Sequence, residues 1–511
     1  MPTYLSPGVY VEEVESGSRP IEGVGTAVGA FIGATQKGPL NQPTLVTNWT
    51  QYSQIFGDFV EGSYMGHAVY GYLNNGGGAA YIVRVGGDGN GAGPTARAEL
   101  PAGTKPGVGA YQILAVGPGE AAPITVDVEA PPDAPETSFK LVVKVGDEVR
   151  ETFDGLTTKK GKQNAATVVN AQSKLIQLEE VENASLEKRP QTGSFTLEAI
   201  TPPAETKPAV VRADDYVGDS ADRTGFGGLE EVDAVTMISV PDVMAAYRAG
   251  MIDLEGVQAV QLGMIAHCEL MGDRMAILDA PPGLNAQQVL EWRVSKAGYD
   301  SRFAALYWPW IKVFDPATGQ NIFVPPSGHM AGIWSRNDAT RGVHKAPANE
   351  VVRGAITLET NTTPREHDQL NPVGINVVRS FPGRGVRVWG ARTLSSDANW
   401  RYINVRRLFN YVEESVFEGT QWVVFEPNDM DLWQRIRRTI TAFLLRTWRE
   451  GALFGATADQ AFYVKCDSET NPPEVIDAGQ VVCESGIAPV KPAEFVIFRI
   501  AQYAGGAAIS E

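Results

Sequence analysis

Short apolar runs alternate with amphipathic stretches of helical length along most of this 511-residue chain, and that alternation restricts the fold more than any other feature. Residues 27–34 (AVGAFIGA) and 80–85 (AYIVRV) read as strands, with helices over 49–56 and 66–73 between them. Further on, 234–240, 275–278 and 303–313 read as strands, and 243–271 and 286–296, the latter capped by Asn285, as helices. Apolar runs without polar alternation suit strands covered on both faces, and the helices supply the crossovers that parallel strands need. The spacing predicts an α/β body, α+β mixed overall, around a largely parallel sheet.

The ten tryptophans divide the chain. Trp49 stands alone near the start and the others lie between Trp292 and Trp448, so residues 88–222 have none. That stretch is bounded by Gly86-Gly87-Asp88-Gly89-Asn90-Gly91 and by Arg223-Thr224-Gly225-Phe226-Gly227-Gly228, both flexible compositions. It reads as an inserted, mainly β domain. Its 21 acidic and 13 basic residues supply nearly half of the net charge of −17. Within it, 139–145 and 148–153 flank Gly146-Asp147 and predict a hairpin.

Charge and hydropathy exclude several classes. A chain at −17 repels phosphate backbones, and no segregated basic patch offsets this, so nucleic acid is not expected as a partner. Nothing approaches 18 consecutive apolar residues, and the start (MPTYLSP) lacks a basic n-region and an apolar h-region. Direct membrane insertion is therefore not expected, and the chain should be made and folded in the cytoplasm. Cys268, Cys466 and Cys483 are odd in number and widely spaced, which suggests small core residues rather than a disulfide framework or zinc site.

Both ends carry strand-like segments on tethers. Gly8, Val9, Tyr10, Val11, Glu12, Glu13 and Val14 precede the linker 16–20, and Glu494, Phe495, Val496, Ile497, Phe498, Arg499 and Ile500 follow Pro489 and Pro492. Such strands either fold back onto their own subunit or pair with a neighbour's sheet edge.

The chemistry an enzyme would need is sparse. Gly23, Gly25 and Gly29 resemble a dinucleotide fingerprint but run into a strand instead of opening a helix, so they read as a turn. The run 155–162 has one residue too many for a P-loop. Asp242 and Asp279 each lie just past an expected parallel strand, where α/β enzymes place catalytic and metal-binding carboxylates. Two readings follow: a metal-dependent cytoplasmic enzyme built on this pair, or two aspartates that shape strand-to-helix turns and cap helices. No histidine or nucleophile motif accompanies them, and neither a cofactor nor a metal is expected.

One helix has a distinctive surface. Residues 428–450 place Leu432, Trp433, Ile436, Ile440, Phe443, Leu444 and Trp448 on one face at ~100° per residue. Arg435, Arg438, Arg446 and Arg449 gather on the other, with Arg437 nearer the apolar arc. The stripe suggests either an acidic partner surface or a solvated face with local acidic pairing.

Longer blocks carry a family likeness. The opening YLSPGVYVEE (4–13), VGTAVGAFIGATQKGP (24–39), NDATRGVHKAPAN (337–349), INVVRSFPGRGVRVWGARTL (375–394), WRYINVRRLFNYVEESV (400–416) and APVKPAEFVIFRI (488–500) resemble contractile tail sheath proteins. The likeness covers about 1–87 and 223–511.

The resemblance implies a structural subunit, not an enzyme. It implies self-association into stacked hexameric rings around an inner tail tube protein, with baseplate and terminator or cap proteins as further partners, inside a virion or phage-tail-like particle. It implies that residues 1–20 and 489–511 are strand-exchange arms, and that 21–87 with 223–340 form the first part of the sheath core. Residues 88–222 would be the outer acidic domain. Residues 341–488 would be the inner domain facing the tube, through Arg435, Arg438, Arg446 and Arg449.

Overall fold

A computed structural model of the chain describes residues 20–86, 96–102, 109–115, 123–131, 135–146, 148–159, 161, 163–173, 175–181, 188–199 and 211–500. The expected N-terminal strand at 8–14 lies outside the described residues.

The central sheet has eight strands in the order Gly385–Val388, Ile375–Phe381, Ala304–Trp308, Met275–Asp279, Met237–Ser239, Val28–Gly33, Ala79–Arg84, Thr44–Val46. The inner six run parallel, and the two edge strands are antiparallel to their neighbours. Every residue of Met275–Asp279 and Ala304–Trp308 is buried, which explains why these runs carry no polar alternation. The fold is mixed α/β, as the alternation predicts.

Two helices on one face approach closely. Met65–Asn74 packs against Ser327–Arg341, and the contact runs through Gly328 and Gly332, one turn apart. A Cβ on Gly328 would sit 2.4 Å from the Ala68 Cα, and one on Gly332 would sit 2.3 Å from the Tyr72 carbonyl oxygen. Neither space admits a side chain.

Two expected elements divide. The run 303–313 becomes Ala304–Trp308 in the central sheet and Ile311–Asp315 in a separate three-stranded antiparallel sheet with Gln320–Val324 and Thr357–Leu358. Pro309 has no N–H to continue the ladder, so the chain changes sheets there. The stretch 243–271 becomes Asp242–Arg248 and Leu254–Met271. Gly250 takes a positive φ of 69°, and the Asp253 carboxylate accepts from the Gly256 N–H to start the second helix. By contrast, the helix Trp49–Phe56 matches its sequence reading at both ends, with the Asn48 side chain accepting from the Gln51 N–H.

Between 96 and 199 the described residues form two four-stranded antiparallel sheets and the helix Ala165–Gln172 around a separate hydrophobic cluster. Ser138–Val145 pairs with Glu148–Thr157 in the expected hairpin, with Val145 opposite Glu148.

A third cluster lies beneath the helices Ile403–Gly419 and Met430–Arg449, and Ile21 packs into it. Arg407 ties this region to the central body. Its guanidinium donates to both carboxylate oxygens of Asp338, at 2.9 and 2.6 Å, and to the Thr26 carbonyl at 2.7 Å. Both charged side chains are buried, so their pairing offsets a large desolvation cost.

Candidate functional site

The two aspartates that could have carried catalysis serve as caps for helices remote in sequence. Asp242 is buried and accepts from the N–H groups of Ala34, Tyr64 and Met65 and from the Ser63 hydroxyl. It thereby satisfies the start of helix Met65–Asn74. Asp279, also buried, accepts from the Ser327 N–H at 2.8 Å and opens helix Ser327–Arg341. Burial raises Asp242 to about 6 against the four donors that favour its charge, and it raises Asp279, with fewer donors, to about 7. Among the described residues, no three His, Cys, Asp or Glu side chains gather in a way that could hold a metal ion. No described helix is long and apolar enough to cross a membrane.

The arginine helix spans Met430–Arg449. The Asp429 side chain caps it by accepting from the Leu432 N–H, and Leu432, Trp433, Ile436, Ile440, Phe443 and Leu444 are buried as the pattern requires. The stripe is not uniform. Arg435 donates to Glu426 at 2.8 Å, lies 3.5 Å from Asp431 and stacks over Trp422. Arg446 donates to the Ile21 carbonyl at 2.9 Å. Arg438 and Arg449 are exposed, and so is Arg437, which helical phase alone had set apart.

At the C-terminal end, Glu494 is held by several donors. Arg392 donates through Nε and Nη2, Asn371 through its amide at 2.6 Å, and Tyr402 through its hydroxyl at 2.9 Å. Burial pushes this carboxyl up, but the donors together hold it below the ordinary value of 4.5. Beside it a groove of about 900 Å³ is lined by His344, Lys345, Arg379, Trp389 and Val496 among others. After Glu494 the chain passes the rim of this groove, which Phe495 and Val496 help to line, and stays largely exposed. Phe495, Val496, Ile497, Phe498 and Ile500 are between 68% and 95% exposed and join no strand among the described residues.

Among the elements that the sequence reading did not name is a small sheet near the C-terminal end. Phe462–Lys465 and Glu484–Ile487 form a two-stranded antiparallel sheet, and neither outer edge carries a further strand among the described residues. The β-forming composition of Phe462-Tyr463-Val464 was its only local signal. A lone two-stranded sheet is marginal in water and offers open edges.

Residues 233–394 match the family model described as the phage tail sheath protein central domain, and residues 395–502 match the phage tail sheath C-terminal domain. The chain is 25% identical over 501 residues to the tail sheath protein of Burkholderia phage BcepMu, a match spanning 93% of this chain and 92% of that protein. Its fold resembles the contracted helical sheath of the anti-feeding prophage, with a TM-score of 0.60 at 24% identity over 98% of this chain and 100% of that one. It also resembles the contracted PVC sheath of an extracellular contractile injection system, with a TM-score of 0.56 at 23% identity over 98% and 99% of the two chains.

Proposed function

This chain belongs to the phage tail sheath family, and from that premise we propose that it polymerises as stacked hexameric rings around an inner tube and contracts to drive the tube through a target envelope. Its role is structural. Assembly takes place in the bacterial cytoplasm, from a baseplate to a terminator or cap, and the finished sheath belongs to a phage or phage-tail-like particle. The solved relatives are sheaths of such particles, one of them in an extracellular contractile injection system.

The observation that carries this reading is the apolar segment beyond Glu494. Five large apolar side chains left mostly exposed are costly unless something covers them. In an extended strand Phe495 and Ile497 share one face and Val496 and Phe498 the other, a pattern suited to entering a sheet. The two-stranded sheet of Phe462–Lys465 and Glu484–Ile487 is the acceptor we assign, each subunit receiving arms from its neighbours by strand addition. Residues 8–14 would supply the second arm.

Magnitudes explain why two arms serve better than one. Each backbone hydrogen bond gained contributes ~0.5–1.5 kcal/mol net. Each large apolar side chain fully covered contributes ~1.5–3 kcal/mol. Association costs ~4–15 kcal/mol, so a single short arm leaves little surplus. Several arms anchored in one lattice act together and stay engaged while other contacts exchange during contraction.

Electron microscopy of the purified protein and of the native lysate tests the proposal. Tubes or cogwheel-like contracted cylinders are expected; monomers persisting under all conditions would overturn it.

A further inference from the structure

The two-stranded sheet ends on a matched pair of cysteines. Lys465 lies opposite Glu484 in the antiparallel register, and one further step sets Cys466 opposite Cys483. Directly opposed residues have Cα atoms about 4.5–5.5 Å apart, within the about 4.4–6.8 Å that a disulfide spans. Both side chains pack against the cluster built around Leu432, Ile436 and Phe443, so they share one face of the sheet. The two thiols lie near enough to perturb each other's ionisation, and the Asn471 amide donates to the Cys466 sulfur at 3.9 Å. Both are free, Cys466 buried and Cys483 half-buried, whereas Cys268 is sealed in the main core.

We propose that Cys466 and Cys483 form a modification site, a cross-strand dithiol that closes to a disulfide by exchange with a low-molecular-weight disulfide such as oxidised glutathione. Cys483 is the more accessible thiol and reacts first. Its thiolate attacks one sulfur of the small disulfide, forming a mixed disulfide and releasing one thiolate. The Cys466 thiolate then attacks the Cys483 sulfur, forming the cross-strand bond and expelling the second thiolate. Two protein thiols are oxidised, the small disulfide is reduced to two thiols, and the two cysteine protons end on the leaving groups.

Burial pushes the Cys483 thiol up to about 12 and raises Cys466 as well. The charged groups facing the pair are Asp467, Glu484 and Arg437. With thiolate scarce, exchange is slow, and the pair stays reduced in a glutathione-buffered interior but closes in an oxidising medium. The bond would staple a two-stranded sheet that has no further strand among the described residues. The value of that staple as a preformed acceptor rests on the sheath reading; the disulfide does not.

The test uses the full-length protein incubated with oxidised glutathione, then denatured and alkylated. Of the three cysteines, only Cys268 should react, a peptide joining Cys466 to Cys483 should be found by mass spectrometry, and Tm should rise by a few degrees and fall back with dithiothreitol. Cys483→Ser and Cys466→Ala should each abolish the cross-link and the Tm shift. Three reactive thiols after prolonged exposure, or glutathione retained on Cys483 without a cross-link, would overturn the proposal. Microscopy separates the two readings: cylinders from protein that never forms the bond reject the dithiol alone, and cross-linked protein that never forms cylinders rejects the sheath role alone.

Discussion

Arg392 grips Glu494 through two parallel hydrogen bonds, Nε to Oε1 at 2.8 Å and Nη2 to Oε2 at 2.7 Å. Among the described residues this is the last side-chain tie before the exposed apolar segment, so it fixes where that segment begins. Bidentate pairing sets direction as well as strength.

Glu494→Gln keeps the shape but removes the charge, and hydrogen bonds to charged groups are worth ~1.5–3 kcal/mol. The subunit should remain folded, with Tm lower by a few degrees, while fewer cylinders sediment at a given concentration. Undiminished polymerisation would detach this pair from assembly. The wild-type carboxyl is held below 4.5 in the fold, so its stabilisation is fully present above that value and is lost as pH falls through the folded pKa. The Gln variant should lack that acid-dependent component, measured as Tm against pH.

Removing the Asp242 side chain and neutralising Asp279 should have opposite effects. Asp242→Ala strands the Ala34, Tyr64 and Met65 N–H groups, each costing ~1–3 kcal/mol when buried without an acceptor, so a large loss of thermal stability is expected. Asp279→Asn keeps an acceptor for Ser327 and removes a buried charge. Because the Asp279 pKa is raised to about 7 in the fold from 3.8, the native protein is penalised as pH rises through that interval. The variant should therefore be more stable than wild type by roughly 1–4 kcal/mol above pH 7, and the gain should vanish below 3.8. A gain that persists in acid would refute this assignment.

Arg438→Glu with Arg449→Glu should reduce co-sedimentation with tube protein at unchanged Tm, because both side chains are exposed. Arg435→Ala should leave Tm nearly unchanged, as expected for an ion pair at the solvated surface. Unaltered tube loading by the double variant would remove the stripe from the interface. Arg446 is a poor probe, since its bond to the Ile21 carbonyl mixes a packing effect into the readout.

Gly332→Ala should destabilise the subunit by ~1–3 kcal/mol, as overpacking does, because the new Cβ would meet backbone of the facing helix at Tyr72. Gly62→Ala is not a matched control, since that glycine has a positive φ of 82°; Gly25→Ala, where the Cβ meets nothing within 4 Å, is the better comparison. Equal melting of Gly332→Ala and Gly25→Ala would contradict the close helix contact.

The sequence by itself marked the alternation of strands and helices in the first part of the body and the amphipathic helix near the C-terminal end. Apolar runs at 27–34 and 275–278 marked covered strands, Asn285 marked a helix start, and the long blocks from 337 to 416 carried the family likeness, because periodicity and capping are local properties. Only the tertiary structure decided which groups meet. Asp242 could be read as a turn former, but nothing near it in the chain says that its donors come from Ala34, Tyr64 and Met65. Arginines that share a helical face separate once Glu426 and Ile21 claim two of them. Cysteines 17 positions apart become opposite neighbours through the register of Lys465 and Glu484. Hydrogen-bond and charge partners follow from sheet order and loop path, which bring together residues hundreds of positions apart, and no local pattern encodes that choice.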